Sequence, residues 1–366
     1  MNLLFLIFCI CVTPPKAKDI DISRYIETYK RLGVTVIKKD SSYHNFPIYI
    51  IQLPYSMSDE DFCCLPAFPV EYHLGIFLNL TKEKLRHFKF MGKVTSCGFS
   101  ALEIDQEILQ SLKDFESLKK ISFRGTKFTL SNPETIHGFK NIDSLSMVCC
   151  EITDEELSFV SKMENLIEIQ LFKMNTITDK ALKFFKDLKK IEYVDLRLSR
   201  SITDNGIDYI TGNGKLKSFK SSLCQLITNK SMAYIARNPL MEELDIRFSQ
   251  VDDVGFSQLS NLKELKRLEL KGCHKLSDKS VIVISQFKKI NILTLASRLL
   301  SDDSISYINK LKYLNYLEIS FTGITNQGIY NLTIFSDLEN VMISENLLFG
   351  TLLYSFKKKN LIIDFY

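Results

Sequence analysis

The chain has 366 residues, a formal net charge of +4, 45% hydrophobic residues and 25% charged residues. This balance excludes intrinsic disorder, and the charge gives no electrostatic case for a nucleic-acid binder. The length would ordinarily suit two or three domains. A repeat runs through most of the chain, however, and stacked units lengthen a single domain without enlarging one core.

Residues 1–12, MNLLFLIFCICV, form an apolar run too short to cross a membrane as an ordinary helix. No Lys or Arg precedes it, yet its length suits the apolar core of a secretory signal. We read residues 1–17 as a signal peptide and expect an extracytoplasmic protein; the alternative is a hydrophobic tail packed on the end of the array. Residues 18–45 read as an N-terminal cap. In it, Ile22, Tyr25, Ile26, Tyr29 and Leu32 share one face of a helix, Gly33 ends that helix, and a strand follows from Val34.

From Phe46 onward the same pattern recurs every 24 or 25 residues. Counting the first strand residue as position 0, apolar residues fall at 0, 3 and 5, as in Leu166, Ile169 and Leu171. Starts fall at Phe46, Val70, Val94, Leu118, Ile142, Leu166, Ile191, Leu216, Met241, Leu265, Ile290, Leu314 and Leu338, which makes about thirteen repeats over residues 46–356. The start at Val70 is the weakest, since it puts His73 and Gly75 at the apolar positions. Each repeat continues into a short helix opened by Ser or Thr and then Asp, as at Thr153-Asp154, Thr178-Asp179, Thr203-Asp204 and Ser277-Asp278. The hydroxyl suits an N-cap and the Asp suits the positive end of the helix; both read as structural. Thr153 with Glu156 forms a candidate capping box. Residues 357–366 leave the pattern and read as a C-terminal capping strand, with Lys357 to Lys359 keeping the open end soluble.

Nine cysteines are present. Cys150, Cys224 and Cys273 share position 8, where the chain turns after the strand, and Cys97 falls at the core position 3. They read as structural thiols, and no spacing suits a metal. The five histidines occupy unrelated repeat positions, no nucleotide-binding loop occurs, and no catalytic, cofactor-binding or metal-ligating set emerges. We therefore expect a protein without enzymatic activity and without cofactors.

Positions 2, 4 and 6 should face solvent on the open sheet, because strand side chains alternate. Position 4 supplies Asp195, Lys220, Asp245, Glu269 and Glu318; position 6 supplies Arg124, Phe172, Arg197, Arg247 and Lys271. Together with Tyr193, the set Phe172, Asp195, Arg197, Lys220, Asp245, Arg247, Glu269 and Lys271 forms a candidate protein-binding patch, with Asp195/Arg197, Asp245/Arg247 and Glu269/Lys271 side by side. The plainer alternative is a solvated ladder of ion pairs with little net energy. The lysines at 180, 183, 186, 189 and 190 read as a solvated face on the helix side.

The strand pattern followed by Ile152-Thr153-Asp154-Glu155-Glu156-Leu157 resembles the cysteine-containing type of leucine-rich repeat. That resemblance implies an α/β fold, a horseshoe-shaped solenoid with parallel strands on the concave face and short helices on the convex face. Two groups share this kind of repeat, the F-box receptors of ubiquitin ligases and bacterial, planctomycete-like proteins with 24-residue T-D repeats. An F-box would need about 40 helical residues with a Leu-Pro start before the repeats, and the single candidate, Leu53-Pro54, lies inside a repeat. The chain therefore looks more like the bacterial group. The expected function is a non-enzymatic, extracytoplasmic scaffold for a protein partner of unknown identity, with no nucleic acid bound and no membrane insertion beyond the leader. The alternative is a cytoplasmic substrate adaptor of a ubiquitin ligase.

Overall fold

The computed structural model describes residues 21–39, 48–77, 80–332 and 338–343, together with the backbone of residues 362–365. The apolar leader, Phe46 and the Lys357–Lys359 run lie outside these residues.

Short apolar segments at a near-constant interval must stack to bury their faces, and they do so in one sheet. Among the described residues, fifteen strands follow each other in a single order, from Thr35–Lys39 at one edge to Ile362–Phe365 at the other. The first pair, Thr35–Lys39 on Ile48–Gln52, is antiparallel. Every later neighbour is parallel, and the crossovers within the described residues carry a helix or a turn. Strands lie about 4.8 Å apart whereas packed helices need about 8–10 Å, so the sheet forms the inner, concave side.

From Val94 onward the position-3 residues pair in register: Cys97 with Ile121, Leu145 with Ile169, Leu244 with Leu268, Leu317 with Val341. All are essentially without solvent contact. Each such side chain contributes roughly 1.5–3 kcal/mol by burial. The helix faces close the core from the convex side, through residues such as Leu182, Ile207, Met232, Phe256 and Ile305. At the N-terminal end, the helix Ser23–Arg31 lays Tyr29 against the first repeats, and its hydroxyl donates to the Pro66 carbonyl at 2.7 Å. Phe68 meets the rings of Tyr25, Tyr29, Tyr49 and Tyr72. Gly33, at φ +75°, terminates this helix in the left-handed conformation that glycine adopts without a Cβ clash.

The first two repeats correct the sequence register. Leu74 and Ile76, not His73 and Gly75, stand opposite Cys97 and Phe99, and Ile51 stands opposite Leu74. The reason is an irregularity in the strand Phe68–Ile76, where pairing with the next strand slips on either side of Tyr72. The slip turns His73 onto the concave face and Tyr72 into the core.

After nine of the strands from Val94 onward the chain turns through position 7 in the left-handed region; the repeat that starts at Ile290, with Ser297 there, does not. Ala101, Cys149, Lys173, Leu198, Leu223, Phe248 and Phe321 adopt φ between 53° and 64° there, alongside Gly125 and Gly272. Position 8 then ties the turn to the preceding repeat. The thiols of Cys224 and Cys273 donate to the carbonyls of Leu196 and Ile246 at 3.1 and 3.2 Å, just as the Ser199 hydroxyl donates to Leu171 at 2.7 Å.

The Thr/Ser-Asp pairs do more than cap their own helices. Each Asp accepts the backbone N–H and the hydroxyl of the Thr or Ser one repeat later. This holds for Asp154 with Thr178, Asp179 with Thr203, Asp204 with Thr228, Asp253 with Ser277, Asp278 with Ser301 and Asp302 with Thr325, at 2.7–2.9 Å for N–H and 2.5–2.6 Å for hydroxyl. Burial alone would raise the carboxyls of Asp204, Asp253 and Asp278, but these bonds outweigh it and hold all three below the usual range. One rung is rebuilt. Where Asp252 stands in the later repeat in place of the donor Thr, Asn229 stands one repeat before it, donating from Nδ2 at 2.7 Å and accepting the Asp252 N–H at 3.0 Å.

Candidate functional site on the concave sheet face

The concave face divides into two zones according to position 4. In the strands from Glu168–Phe172 back towards Ile48–Gln52, position 4 is Gln170, Ser146, Ser122, Gly98, Gly75 and Gln52. In the strands that follow it is Asp195, Lys220, Asp245, Glu269, Thr294 and Glu318.

The charged zone holds the residues singled out from the sequence, and one part of that reading needs correction. The position-4 carboxylates do not stand in solvent: Asp195 is 9% exposed, Asp245 2%, Glu269 6% and Glu318 6%. Guanidinium groups two residues away in sequence fold over Asp195, Asp245 and Glu269, and a lysine from another strand covers Glu318. Arg197 grips Asp195 from Nε at 2.9 Å and Nη2 at 2.6 Å, while Asp195 also accepts the Arg197 backbone N–H at 3.0 Å. Arg247 repeats this on Asp245 at 2.9, 2.6 and 3.1 Å. The bonds to their carboxylates raise both guanidinium pKa values further, against the opposing effect of burial.

Glu269 is gripped by Arg267, two residues before it, at 2.7 Å and accepts from Thr294 at 3.1 Å. Lys271 reaches along the sheet to Glu318 at 2.7 Å, and Lys220 pairs with Glu243 at 2.9 Å. Phe172 lies beneath Arg197, whose guanidinium carbon is 5.3 Å from the ring centroid. Tyr193, 38% exposed, stands on the adjoining position 2. The structure thus joins Phe172, Asp195 and Arg197 in one cluster and Asp245 with Arg247 in another. It assigns Lys220, Glu269 and Lys271 to partners outside the expected pairs. Arg267, Glu243 and Thr294 are members that sequence reasoning missed; their positions on the open face were the available signal.

The neutral zone encloses the room. A cavity of about 600 Å³ lies over Gly75, Gly98, Ser122 and Ser146, walled by Lys39, Lys120 and Arg124 and bounded by Gln170 and Arg197. Its floor is low because position 4 carries almost no side chain. A Cβ on Gly98 would sit 2.9 Å from the Ser122 Oγ and 3.4 Å from the His73 Nε2. A chain of bonds joins the zones: Ser146 donates to Gln170 at 2.5 Å, and Gln170 donates to Asp195 at 3.4 Å. His73 Nδ1 lies 2.7 Å from the Ser96 Oγ, a pairing hidden by the slipped register. Burial pushes His73 down to about 4, so its imidazole is neutral at pH 7 and too weak a base to match serine activation. Among the described residues, no group of three His, Cys, Asp or Glu side chains is arranged to hold a metal, and no helix is long and apolar enough to cross a membrane.

One long, mostly parallel sheet backed by short helices, built from repeats of this period, is the fold of a leucine-rich repeat solenoid. Solved structures of that fold match it. An internalin from Listeria monocytogenes superposes with a TM-score of 0.56 at 17% identity, covering 76% of this chain and 88% of the internalin. Rad7, in a yeast complex with Elc1, superposes with a TM-score of 0.57 at 15% identity, covering 85% of this chain and 79% of Rad7. At these identities the likeness is one of fold. No protein-family model matches the sequence, and no curated protein does.

Proposed function

We propose that this chain is a non-enzymatic protein-binding scaffold whose contact surface is the glycine- and serine-floored bay of the concave sheet rather than the zone of paired charges beside it. The observation that carries this reading is the contrast between the two zones. The charged side chains are spent on one another and fill their part of the concavity, whereas Gly75, Gly98, Ser122 and Ser146 leave an open cavity. A weakly basic His73 on its floor suits a hydrogen-bonding contact better than catalysis. Rad7 was captured in a complex with Elc1, which supports protein binding as a use of this fold. The Cys at position 8 and the repeat-to-repeat Asp bonds support assignment to the cysteine-containing, T-D type of repeat, of which the bacterial proteins are the nearer group. The apolar run of residues 1–12 supports an extracytoplasmic location.

The test is affinity capture from the native cell with the full chain and with Ser122→Trp, which fills the bay. A protein retained by the unmodified chain and lost by the variant supports the scaffold; capture unchanged by the variant overturns it. Intact mass after cell fractionation tests the location: loss of residues near 1–17 from a protein outside the cytoplasm supports it, and a full-length cytosolic chain contradicts it.

A second reading, a cytoplasmic adaptor that presents a substrate to a ubiquitin ligase, is consistent with the likeness to Rad7, which was solved in complex with a second protein. Co-purification with a ligase subunit would establish it in place of the first.

A further inference from the structure

Resting on the scaffold reading, the geometry points to the class of partner: we propose that the bay receives an extended, acidic segment of another protein, laid across the strands. Three features carry this.

The first is shape. The bay crosses from the strand Ile48–Gln52 to the strand Glu168–Phe172, which are five strand intervals apart in the sheet order. At about 4.8 Å per interval this is roughly 24 Å, the length of about seven extended residues. The floor is low through four successive repeats, so a backbone can lie close to the sheet.

The second is charge. Among the described residues the lining carries four cationic side chains, Lys39, Lys120, Arg124 and Arg197, and one carboxylate, Glu168, which accepts the Ser144 hydroxyl at 3.0 Å. Asp195 answers Arg197 and Asp143 lies near Lys120, so among the described residues the cations of the surround outnumber its acids by four to three, and no described acid lies on the floor. An acidic segment is attracted along the bay, and a basic one is repelled.

The third is polarity. Ser96, Ser122 and Ser146 place hydroxyls on the floor, and the imidazole of His73 is neutral there. Such groups bond equally well to a peptide backbone and to carboxylates. A nucleic acid is the weaker candidate, because tracking a phosphate backbone over roughly 24 Å calls for a denser row of cations than these, together with exposed rings for stacking.

The experiment is fluorescence anisotropy on the full chain at two salt concentrations. One probe is a labelled nine-residue peptide alternating Gly or Ser with Asp or Glu. The others are its Lys-for-acid counterpart and a nine-nucleotide thymidine strand. The expected result is binding of the acidic peptide at least tenfold tighter than either other probe, weakening as salt rises. Arg124→Glu, on an exposed side chain, and Ser122→Trp should each weaken it at least tenfold, while Arg237→Glu, on the helix side, leaves it unchanged; circular dichroism checks that each variant is folded. Equal binding of the two peptides, preference for the oligonucleotide, no binding of the acidic peptide, or indifference to both bay substitutions overturns the proposal. If the acidic preference is missing while Ser122→Trp still abolishes capture of a native partner, the scaffold reading stands and this one falls.

Discussion

The pair Asp245–Arg247 tests whether the charged zone is architecture. The carboxylate is 2% exposed and takes three bonds from Arg247, two from the guanidinium and one from its backbone N–H. Arg247→Ala removes the guanidinium but leaves the carboxylate and its backbone bond in place. Stripping one partner from a buried pair costs about 3–5 kcal/mol. The Arg247 side chain is 31% exposed, so water already screens part of the pair, and the retained backbone bond offsets more. An effect of about 2–3 kcal/mol is expected, or a fall of about 3–4 °C in Tm for a chain of this size. Arg237 and Asp208 supply the control, since their N–O distance is 2.7 Å but both side chains are largely exposed. Arg237→Ala should cost no more than about 1 kcal/mol. The double variant Asp245→Asn with Arg247→Ala should recover more than half of the loss, because no buried charge is then left unanswered. Thermal melts of the four proteins in one buffer decide the matter. Equal shifts for Arg247→Ala and Arg237→Ala, or no shift for the first, would refute the assignment of this zone to structure.

Three further outcomes follow from other parts of the molecule. Asn229→Asp sets two carboxylates against each other at the rebuilt rung, so it should destabilise by roughly 1–2 kcal/mol at pH 7; the loss should shrink as pH falls towards 4, read as Tm against pH for both proteins. Because desolvation keeps the half-buried His73 neutral, its folded pKa of about 4 lies below the unfolded value of 6.5. Its contribution is complete above pH 6.5 and declines as pH falls towards 4, by at most about 3 kcal/mol; His73→Asn should flatten that stretch of the stability curve. Among the described cysteines, Cys63, Cys64 and Cys149 are exposed and should alkylate in the native protein, while Cys97, Cys150, Cys224 and Cys273 are buried and should react only after unfolding. Burial pushes the Cys224 thiol up to about 12, which reinforces the contrast. Mass spectrometry before and after denaturant reads the pattern.

The solenoid was legible because its signal is a period, and a period survives weak individual residues. Leu166, Ile169 and Leu171 sit as their spacing requires, and the position-3 residues align strand by strand from Cys97 to Val341. Local departures from the period were not legible. The slip around Tyr72 reverses which of two neighbours faces inward, and alternation alone cannot show it. Left-handed turns at Leu198, Leu223 and Phe248 give no glycine to mark them; the strands and helices on either side impose the conformation. The helix-start Asp residues read as caps within their own repeats, whereas their bonds run 23 or 24 residues ahead, a distance that only stacking reveals.

The candidate site was read less well for a related reason. Alternation placed Asp195 and Asp245 on the open face correctly, but facing outward is not the same as being wet. On a concave sheet, neighbouring strands crowd the outward side chains, and an arginine two residues on can cover a carboxylate completely. Side chains with charge attracted attention, while the binding room lies where side chains are nearly missing, at Gly75, Gly98, Ser122 and Ser146.

The most direct test of the glycine- and serine-floored bay as the contact surface is site-specific photo-cross-linking of the full chain in its native cell. A photoreactive side chain is placed in turn at Ser122 in the bay, at Arg267 in the charged zone and at Lys183 on the convex side. The account predicts one protein adduct formed from Ser122, with little or none from Arg267 and Lys183. The same adduct from Arg267 or Lys183, with none from Ser122, would contradict it.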